Sequence, residues 1–390
     1  MKRVLVLTVG GLLAVVVTAS WAGAAKAPPR RPHQTITFIQ QISRDPLGIR
    51  PDAERDTEVE PAIAVDPNNA DHVVAVFQES RFGSSGASDN GYATSQDGGQ
   101  TWVTAPFPKL TITTGGKWQR ASDPSVAFGP DGAVYVSSLV LANVLCPSGI
   151  AVQRSDDGGL TWNDPVTIQA DGNCSVFNDK DWIAVDTNPT SPHLGRVYVV
   201  WDRSVSGFEP VVLKLSDDRG ATWSTANAIN SPTGHDTSAI PIVHPNGDLS
   251  VLYSDIFKSK IFSQTSTDGG ITFGAPTAVT SYQGIDPPDM RTGVQVMSLS
   301  ASLDPTTDTI YTVWEDGRFR SDGFNDVVLT ESADEGATWS VPRRVNLDAP
   351  DSQLDHLTPA VAAFGGVVSV EYVYRDMSVG LNQIVSEHYI

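Results

Sequence analysis

The sequence predicts an all-β protein, a six-bladed β-propeller built from four-stranded antiparallel blades. Two observations predict this fold: an eight-residue motif that occurs five times, and a plan of four short strands that accompanies each copy. The motif reads Ser-x-Asp-x-Gly-x-Thr followed by Trp or Phe. Its copies occupy residues 95–102, 155–162, 216–223, 266–273 and 332–339.

Each copy has the residues of a tight hairpin turn. We expect the Asp carboxylate to bond backbone N–H groups across the turn, the Gly to supply a positive φ, and the aromatic residue to anchor the outgoing strand. A calcium loop is the alternative interpretation, but it needs more oxygen ligands than one Asp per turn offers. Five aspartates are therefore predicted to be structural: Asp97, Asp157, Asp218, Asp268 and Asp334.

The spacing of the motif sets the number of blades. Successive copies begin 60, 61, 50 and 66 residues apart. In the first repeat, strands at residues 62–65 and 73–77 flank a turn at 66–69, and a third strand leads into the motif. Because the motif is a hairpin turn, a fourth strand must leave it. Six such units account for the chain after its leader.

The last blade is predicted to be completed by the start of the chain. After the fifth motif, strands are expected near residues 360–364, 367–374 and 383–390, and the fourth is missing. The apolar segment at 35–40 is the natural donor, because sharing a blade between both termini removes open sheet edges. We therefore predict a single propeller domain over residues 34–390.

The first residues have the form of a secretory signal. Lys2 and Arg3 precede an apolar run that ends near Ser20, and a small-x-small sequence follows at residues 22–24. We predict a signal peptide at residues 1–24, a linker at 25–33 and a secreted protein. An uncleaved anchor is the alternative, although the run is slightly short for a bilayer span.

The cysteine count agrees with export. Cys146 and Cys174 are the two cysteines of the chain, and an even number in an exported protein allows one disulfide. Closing this loop would stabilise the fold by roughly 3–4 kcal/mol. Two separate thiols are the alternative, and two cysteines alone make a poor metal site.

The charge balance excludes some partners. The chain has 45 Asp and Glu residues and 26 Lys and Arg residues, which gives a net charge of −19. A nucleic acid is therefore not expected to bind. The chain has no Gly-x-Ser-x-Gly, His-Glu-x-x-His or phosphate-loop motif. We expect a monomer without a cofactor or metal, and no membrane contact after signal cleavage.

The face opposite the motif turns is expected to hold the functional site, since strand starts and variable loops meet there. An aromatic residue or Ser marks the end of each second strand, and two positions onward we predict a ring around a central cavity. Its members are Glu79, Val140, Arg203, Asp255, Asp316 and Tyr374.

The repeated motifs resemble those of the sialidase (neuraminidase) superfamily, the bacterial neuraminidase repeats or Asp-boxes, and the resemblance covers the chain after its leader. It implies a glycan substrate, a general acid in the first blade and a tyrosine nucleophile in the last, assisted by a carboxylate. By position, Glu79 matches the acid, with Glu in place of Asp, and Tyr374 or Tyr372 matches the nucleophile. Candidate carboxylates beside it are Asp255, Glu315 and Asp316.

The arginines depart from the family pattern. Sialidases bind the substrate carboxylate with three arginines, the first in an Arg-Ile-Pro run, and here that run is Val59-Glu60-Pro61. Arginines from neighbouring loops would have to replace it. The wider set of predicted substrate-binding residues is Arg81, Arg120, Asp123, Asp181, Trp182, Arg203, His235, Asp236, Arg291, Glu315, Arg318, His356 and Arg375.

Three functions follow from these patterns. The leading hypothesis is a secreted sialidase-like glycoside hydrolase of the exo-α-sialidase type. The alternatives are a propeller that binds a glycan or protein without turnover, and a polysaccharide lyase that uses a His-Asp neighbour pair. Arginines that converge beside Tyr374 would favour the sialidase, whereas arginines paired with Asp or Glu would favour binding.

Overall fold

The antiparallel strands follow the alternation of apolar and polar residues in the sequence. The computed structural model describes residues 40–44, 46, 47, 50, 52–285 and 299–378, and the backbone of residues 384–389. The predicted signal peptide, the linker, most of the predicted closing strand at 35–40, and Arg291 lie outside the described residues. Residues from Thr35 to Ile390 group as one compact unit.

The described strands fall into six consecutive repeats, which we number 1 to 6. Their bounds are β1 Val59–Asp66, β2 Asn69–Arg81, β3 Ala87–Ser95 and β4 Val103–Pro106 in repeat 1; β5 Arg120–Phe128, β6 Val134–Leu141, β7 Ser148–Ser155 and β8 Val166–Ala170 in repeat 2; β9 Val176–Val185, β10 Val197–Val205, β11 Val211–Ser216 and β12 Asn227–Ala228 in repeat 3; β13 Asp236–Val243, β14 Leu249–Asp255, β15 Lys260–Ser266 and β16 Thr277–Ser281 in repeat 4; β17 Ser300–Asp304, β18 Thr309–Asp316, β19 Asp326–Ser332 and β20 Arg343–Arg344 in repeat 5; β21 Leu354–Phe364, β22 Val367–Asp376 and β23 Ile384–Tyr389 in repeat 6.

The strands pair in chain order within each repeat. Repeats 3, 4 and 5 are separate four-stranded antiparallel sheets, and repeat 6 shows three strands in its described part. Repeats 1 and 2 join into one eight-stranded sheet through a single pairing of Ala87 with Ala121. The prediction of all-β, four-stranded antiparallel units is confirmed. A 3₁₀ turn at Ile112–Thr114 is the one helical element in the described ranges.

Five apolar clusters hold successive repeats together. Each cluster lies between two neighbouring repeats, because alternate side chains of a strand point to opposite faces of its sheet. Within the described ranges, no such cluster joins repeat 6 to repeat 1, and the closed six-bladed ring stays a prediction. Representative members from the first cluster to the fifth are Val136, Trp201, Val251, Trp314 and Val370.

The five motif turns share one hydrogen-bond pattern, shown by the second copy. The Ser155 hydroxyl donates to Asp157 Oδ1 at 2.7 Å and accepts from the Gly159 amide at 2.7 Å. The Asp157 carboxylate also accepts from the Thr161 amide at 2.8 Å and from its hydroxyl at 2.6 Å. Gly159 has a φ of 86°, which favours glycine. The aspartate thus ties the turn together.

The first strand of five repeats contains a backbone irregularity that shapes the site. Pairing with the second strand slips by one residue near the start of the first strand, as in a β-bulge. At that point a residue other than glycine takes a positive φ of 46–58°: Glu60, Asp123, Lys180, Ser238 and Thr358. We call these five the bulge residues.

A disulfide joins the loop after β6 to the segment before β9. Cys146 and Cys174 are bonded, with a Cα–Cα distance of 5.2 Å. No helix in the described part of the chain is long and apolar enough to cross a membrane.

Candidate functional site

A cavity of about 460 Å³ opens among the first strands, on the side of the sheets away from the motif turns. Its walls come from the beginnings of β1, β5, β9 and β13, with Leu299 just before β17. Four carboxyl groups line it: Glu60, Asp123, Asp179 and Asp181. We call it the carboxyl cavity.

Glu60 and Asp123 are in direct contact. A hydrogen bond between two carboxyl groups requires a proton on one of them, and their surroundings decide which. Limited hydration, followed by the charge of Asp123, raises the pKa of Glu60 to about 8, although 37% of its side chain is still exposed. Glu60 therefore holds the proton at neutral pH and donates it to Asp123.

Asp123 stays ionised although it is buried. Burial opposes its ionisation, but the charge of Lys180 and hydrogen bonds from Glu60 and the Ser122 hydroxyl outweigh burial and lower its pKa. The Ser122 hydroxyl donates to Asp123 Oδ1 at 2.6 Å, and the Lys180 amide donates to Oδ2 at 3.2 Å. The Lys180 ammonium lies 4.0 Å from Asp123 Oδ2.

Asp179 contacts Asp123 from the next repeat. Burial, followed by the charge of Asp123, raises the pKa of Asp179 to about 7. Glu60 in repeat 1 and Asp179 in repeat 3 thus flank Asp123 in repeat 2. The site holds an acid protonated at neutral pH, an ionised carboxylate, and a third group that titrates near pH 7.

The remaining lining residues combine charge with apolar surface. Burial raises the pKa of Asp181 well above its usual range, and Ser137 lies beside it. The Arg81 guanidinium is 3.7 Å from Glu60. The Trp182 side chain is 38% exposed, and Leu145, next to the disulfide, is 50% exposed. Such a surface suits a ligand with hydroxyl groups and an apolar face.

Acidic residues also stabilise the strained backbone of the bulges. The Ser238 amide donates to Asp202 Oδ2 at 3.2 Å, and the Thr358 amide donates to Glu315 Oε1. The Lys180 amide bonds to Asp123 in the same way. Each acid comes from the preceding repeat. Asp202 and Glu315 lie on second strands and stabilise the fold, whereas Asp123 lies on a first strand and also lines the cavity.

The predicted ring of six second-strand residues does not surround the cavity. Glu79, predicted as the acid, is fully buried in the space left by Gly91. Asp255 accepts from the Lys258 amide at 2.8 Å, and Asp316 accepts from Trp314 Nε1 at 2.8 Å. First strands supply most of the cavity lining, and the second strands contribute Arg81 and Leu139 but none of the six predicted ring residues.

The predicted tyrosine nucleophile also lies outside the cavity lining. Tyr374 pairs with His356 across β21 and β22, and their ring centroids are 5.9 Å apart. Tyr372 is buried, with its ring centroid 5.6 Å from that of His356. Neither tyrosine is among the residues around the carboxyl cavity.

The described arginines do not form a carboxylate-binding triad. Arg203 bonds to Asp171 at 2.7 Å, and Arg318 Nε bonds to Asp316 at 2.8 Å. Arg120 bonds to the Ser85 carbonyl oxygen at 2.6 Å and lies over the Phe82 ring. Arg375 is buried opposite Asp355 in the register of β21 and β22.

The two His-Asp neighbour pairs of the sequence, His235-Asp236 and Asp355-His356, have different surroundings. His235 lies between Phe208 and Phe257, while Asp236 accepts from the Asn230 amide group at 2.8 Å. His356 belongs to a buried polar network around Arg320. Its Nε2 is 3.2 Å from Asp348.

The network around Arg320 resembles a metal site in composition. Asp326, Asp348 and His356 bring ligand atoms close enough to share an ion. However, Arg320 Nη1 already lies 3.0 Å from Asp326 Oδ1, and Arg344 Nε lies 2.7 Å from Asp326 Oδ2. Two guanidinium groups supply the positive charge, so the carboxylates are neutralised without a metal.

Of the predicted binding residues, four line the cavity: Arg81, Asp123, Asp181 and Trp182. Sequence reasoning did not assign Glu60 or Asp179 to the site. The sequence feature that could have pointed to Glu60 is Pro61, directly after it, because a proline inside a strand marks a bulge or an edge. Pro124 follows Asp123 in the same way.

Together, the antiparallel repeats and the cavity with its carboxyl groups define a protein with a glycoside hydrolase-like fold. A family model described as a BNR repeat-like domain matches residues 134–304. That match covers less than half of the chain, and the fold as a whole is similar to that of sialidases. No curated protein matches the sequence.

Solved structures of enzymes that act on glycans share the fold. An intramolecular trans-sialidase from Ruminococcus gnavus is 14% identical with a TM-score of 0.59, over 90% of this chain and 96% of that one. The Hadza microbial sialidase Hz136 is 17% identical with a TM-score of 0.56, over 86% of this chain and 66% of its own. The α-L-arabinanase of Penicillium chrysogenum is 15% identical with a TM-score of 0.56, over 86% and 94%.

Proposed function

We propose that the protein is a glycoside hydrolase that acts on an uncharged glycan in the carboxyl cavity. The observation that supports this most is the contact of protonated Glu60 with ionised Asp123, flanked by Asp179. Glycoside hydrolysis needs one carboxyl group that gives a proton and another that accepts one. The similarity to sialidases and an arabinanase supports a glycan as substrate.

In the proposed reaction, Glu60 donates its proton to the glycosidic oxygen, which leaves with the electron pair of the broken C–O bond. The positive charge that develops at the anomeric carbon is stabilised by Asp123. A water attacks that carbon and gives its proton to Asp179. Asp123 lies between Glu60 and Asp179, which suits the separation of about 6.5–9.5 Å between acid and base in inverting enzymes, and Asp179 accepts the proton of the water in its ionised form.

The charge of the cavity favours an uncharged substrate over a sialoside. Among the described lining residues, the two cations are Arg81 and Lys180, and both face carboxyl groups of the cavity. A substrate carboxylate would therefore meet hydrogen-bond acceptors without an uncommitted cation. The same argument weighs against a lyase that acts on an anionic polysaccharide.

The test is turnover of 4-nitrophenyl glycosides of neutral pyranoses and furanoses, beside a sialoside, by wild type and Glu60→Gln. We expect at least one neutral glycoside to be hydrolysed, and the variant to lose about 10²–10⁴-fold in kcat. With the matching 2,4-dinitrophenyl glycoside, whose leaving group needs no proton, Glu60→Gln should recover most of the rate. Asp164→Asn is the matched control, since that exposed carboxyl pairs only with Lys109 among described contacts.

The pH dependence adds a second readout. Because Glu60 must be protonated and Asp179 ionised, kcat/KM should fall above about pH 8 and below about pH 7. Turnover of the sialoside alone, or an equal loss on both classes of leaving group in Glu60→Gln, would contradict the proposal.

Binding of a glycan without turnover is the second candidate function. The ion pair between Lys180 and Asp123, 4.0 Å apart, favours it, because a balanced pair can serve recognition alone. Arginines paired with Asp or Glu were expected for a binding protein rather than a sialidase, and Arg203 and Arg318 are paired in this way. Affinity for a glycan without hydrolysis of any glycoside would support this function.

The predicted signal peptide concerns the location of the protein. We infer from residues 1–24 that the protein is exported, which agrees with the disulfide between Cys146 and Cys174. The N-terminal residue of the protein secreted from its host would test this inference. A mature chain that still began at Met1 would contradict it.

A further inference from the structure

Three rings form an exposed aromatic surface beside the cavity. The side chain of Phe257 is 73% exposed and that of Phe208 is 38% exposed. The ring of His235 lies between them, 4.2 Å from the Phe257 centroid and 5.6 Å from the Phe208 centroid. We call these three residues the aromatic platform.

Short loops at the same ends of two repeats build the platform. Phe208 follows β10, where its amide and carbonyl both bond to Val205, at 3.0 and 2.8 Å. Phe257 follows β14, and His235 directly precedes β13. The adjacent Glu209 pairs with His235 in a backbone bridge. The platform is therefore held by backbone hydrogen bonds.

The platform lies on the same side of the sheets as the cavity. Ser238, which lines the cavity, is three residues beyond His235 on the same chain segment. At about 3.3 Å per residue, the two positions are roughly 10 Å apart along the strand. Trp182 lines the cavity on the neighbouring strand β9. Exposed aromatic side chains therefore occur both in the cavity and on the chain segments beside it.

We propose that the aromatic platform binds further sugar units of a glycan whose reacting end occupies the carboxyl cavity. Sugar rings present a face of C–H groups that packs on aromatic rings, while their hydroxyl groups seek hydrogen-bond acceptors. Glu209 follows Phe208 in the sequence, is half-buried and supplies a carboxyl group beside the platform. The choice of a glycan rests on the proposed function, and the platform makes an oligosaccharide the substrate class.

The size and charge of the platform favour a glycan chain over a protein partner. Three side chains are far fewer than the 20–30 residues that each partner commonly contributes to a stable protein interface. Lys258, next to Phe257 in the sequence, is paired with Asp255, so this described cation is already neutralised and favours an anionic partner little. An uncharged glycan chain that reaches the cavity fits both the small size of the platform and its lack of an unpaired described cation.

The experiment compares affinity with chain length in wild type and Phe257→Ala. Calorimetry would use ladders of one to five units of gluco-, xylo-, manno- and arabino-oligosaccharides. We expect affinity to rise with length in at least one ladder, and Phe257→Ala to weaken the longer members by about threefold to tenfold while the monosaccharide is unchanged. Phe364→Ala is the matched control, because that ring is 71% exposed at the opposite end of its sheet.

The outcomes separate this proposal from the proposed function. Length-dependent affinity that Phe257→Ala removes supports the platform even when no glycoside is hydrolysed. Hydrolysis that depends on Glu60 supports the proposed function whether or not affinity changes with chain length. Affinity that does not change with length overturns the platform. Equal affinities of Phe257→Ala and wild type along every ladder overturn it as well.

Discussion

Replacing Asp89 by Asn should change how the stability of the protein depends on pH. Asp89 is fully buried in β3 and accepts hydrogen bonds from the hydroxyls of Thr111 and Thr114, each at 2.7 Å, and from the Asn90 amide at 2.9 Å. Burial outweighs these bonds and raises its pKa from 3.8 to about 7. Its neighbour Glu79, across β2 and β3, adds a second acid to this buried region.

The sign follows from proton linkage. Between about pH 4 and pH 7 folded Asp89 keeps a proton that the unfolded chain has released, so stability falls as pH rises through this window. One pKa unit corresponds to about 1.4 kcal/mol, and the full effect is therefore roughly 4 kcal/mol. Between pH 5 and pH 8, about 2–3 kcal/mol of it should be seen.

Urea unfolding of wild type and Asp89→Asn at pH 5, 6, 7 and 8 measures this effect. The lost carboxylate adds an offset that does not depend on pH, whereas the difference between the two free energies of unfolding should shift by 2–3 kcal/mol in favour of the variant as pH rises. Asp164→Asn, at an exposed carboxyl, should run parallel to wild type. Parallel curves for Asp89→Asn and wild type would refute the assignment of a proton to Asp89.

Three further substitutions test the scaffold. Ser155→Ala leaves the buried Gly159 amide without its acceptor and should cost about 1–3 kcal/mol in thermal unfolding, with glycan affinity unchanged because this turn is remote from the cavity. Cys146→Ser opens the loop to Cys174 and should cost roughly 3–4 kcal/mol, and a reductant should then have no additional effect on the Tm. Arg320→Met removes one of the two guanidinium groups that neutralise the carboxylates around it and should cost about 3–5 kcal/mol at neutral pH, so an unchanged Tm would contradict the ion-pair network.

The strands and turns were predictable because their signals are local. A period-two alternation identifies a strand, and the motif contains every group that bonds within its own turn, from Ser155 to Thr161. The predicted strand at residues 62–65 is the centre of β1, and that at 73–77 is the centre of β2. Closure of the ring depends instead on contacts between the two ends of the chain, which no local pattern encodes.

The site was predicted less well because it depends on bulges. Counting alternate positions along the second strands led to Glu79 and Tyr374, but the cavity is lined mainly by first strands, whose alternation shifts by one residue. A positive φ is rare for Glu and Lys, so the residue types at positions 60 and 180 gave no indication of the bulge. The prolines after Glu60 and Asp123 were the readable sign of the bulge.

The bulge residues separate scaffold from chemistry. All five described bulge residues share the same strained φ, and acids of the preceding repeat bind the bulge amides in repeats 3, 4 and 6, so the bulge itself belongs to the fold. The side chains differ: Glu60, Asp123 and Lys180 carry ionisable groups, whereas Ser238 and Thr358 carry hydroxyls. A repeated backbone feature with ionisable side chains in three successive repeats concentrates charge on one side of the cavity. Catalysis needs such asymmetry, because the acid and the base must stand on defined sides of one glycosidic bond. A ring with the same side chain in every repeat could not distinguish those two roles.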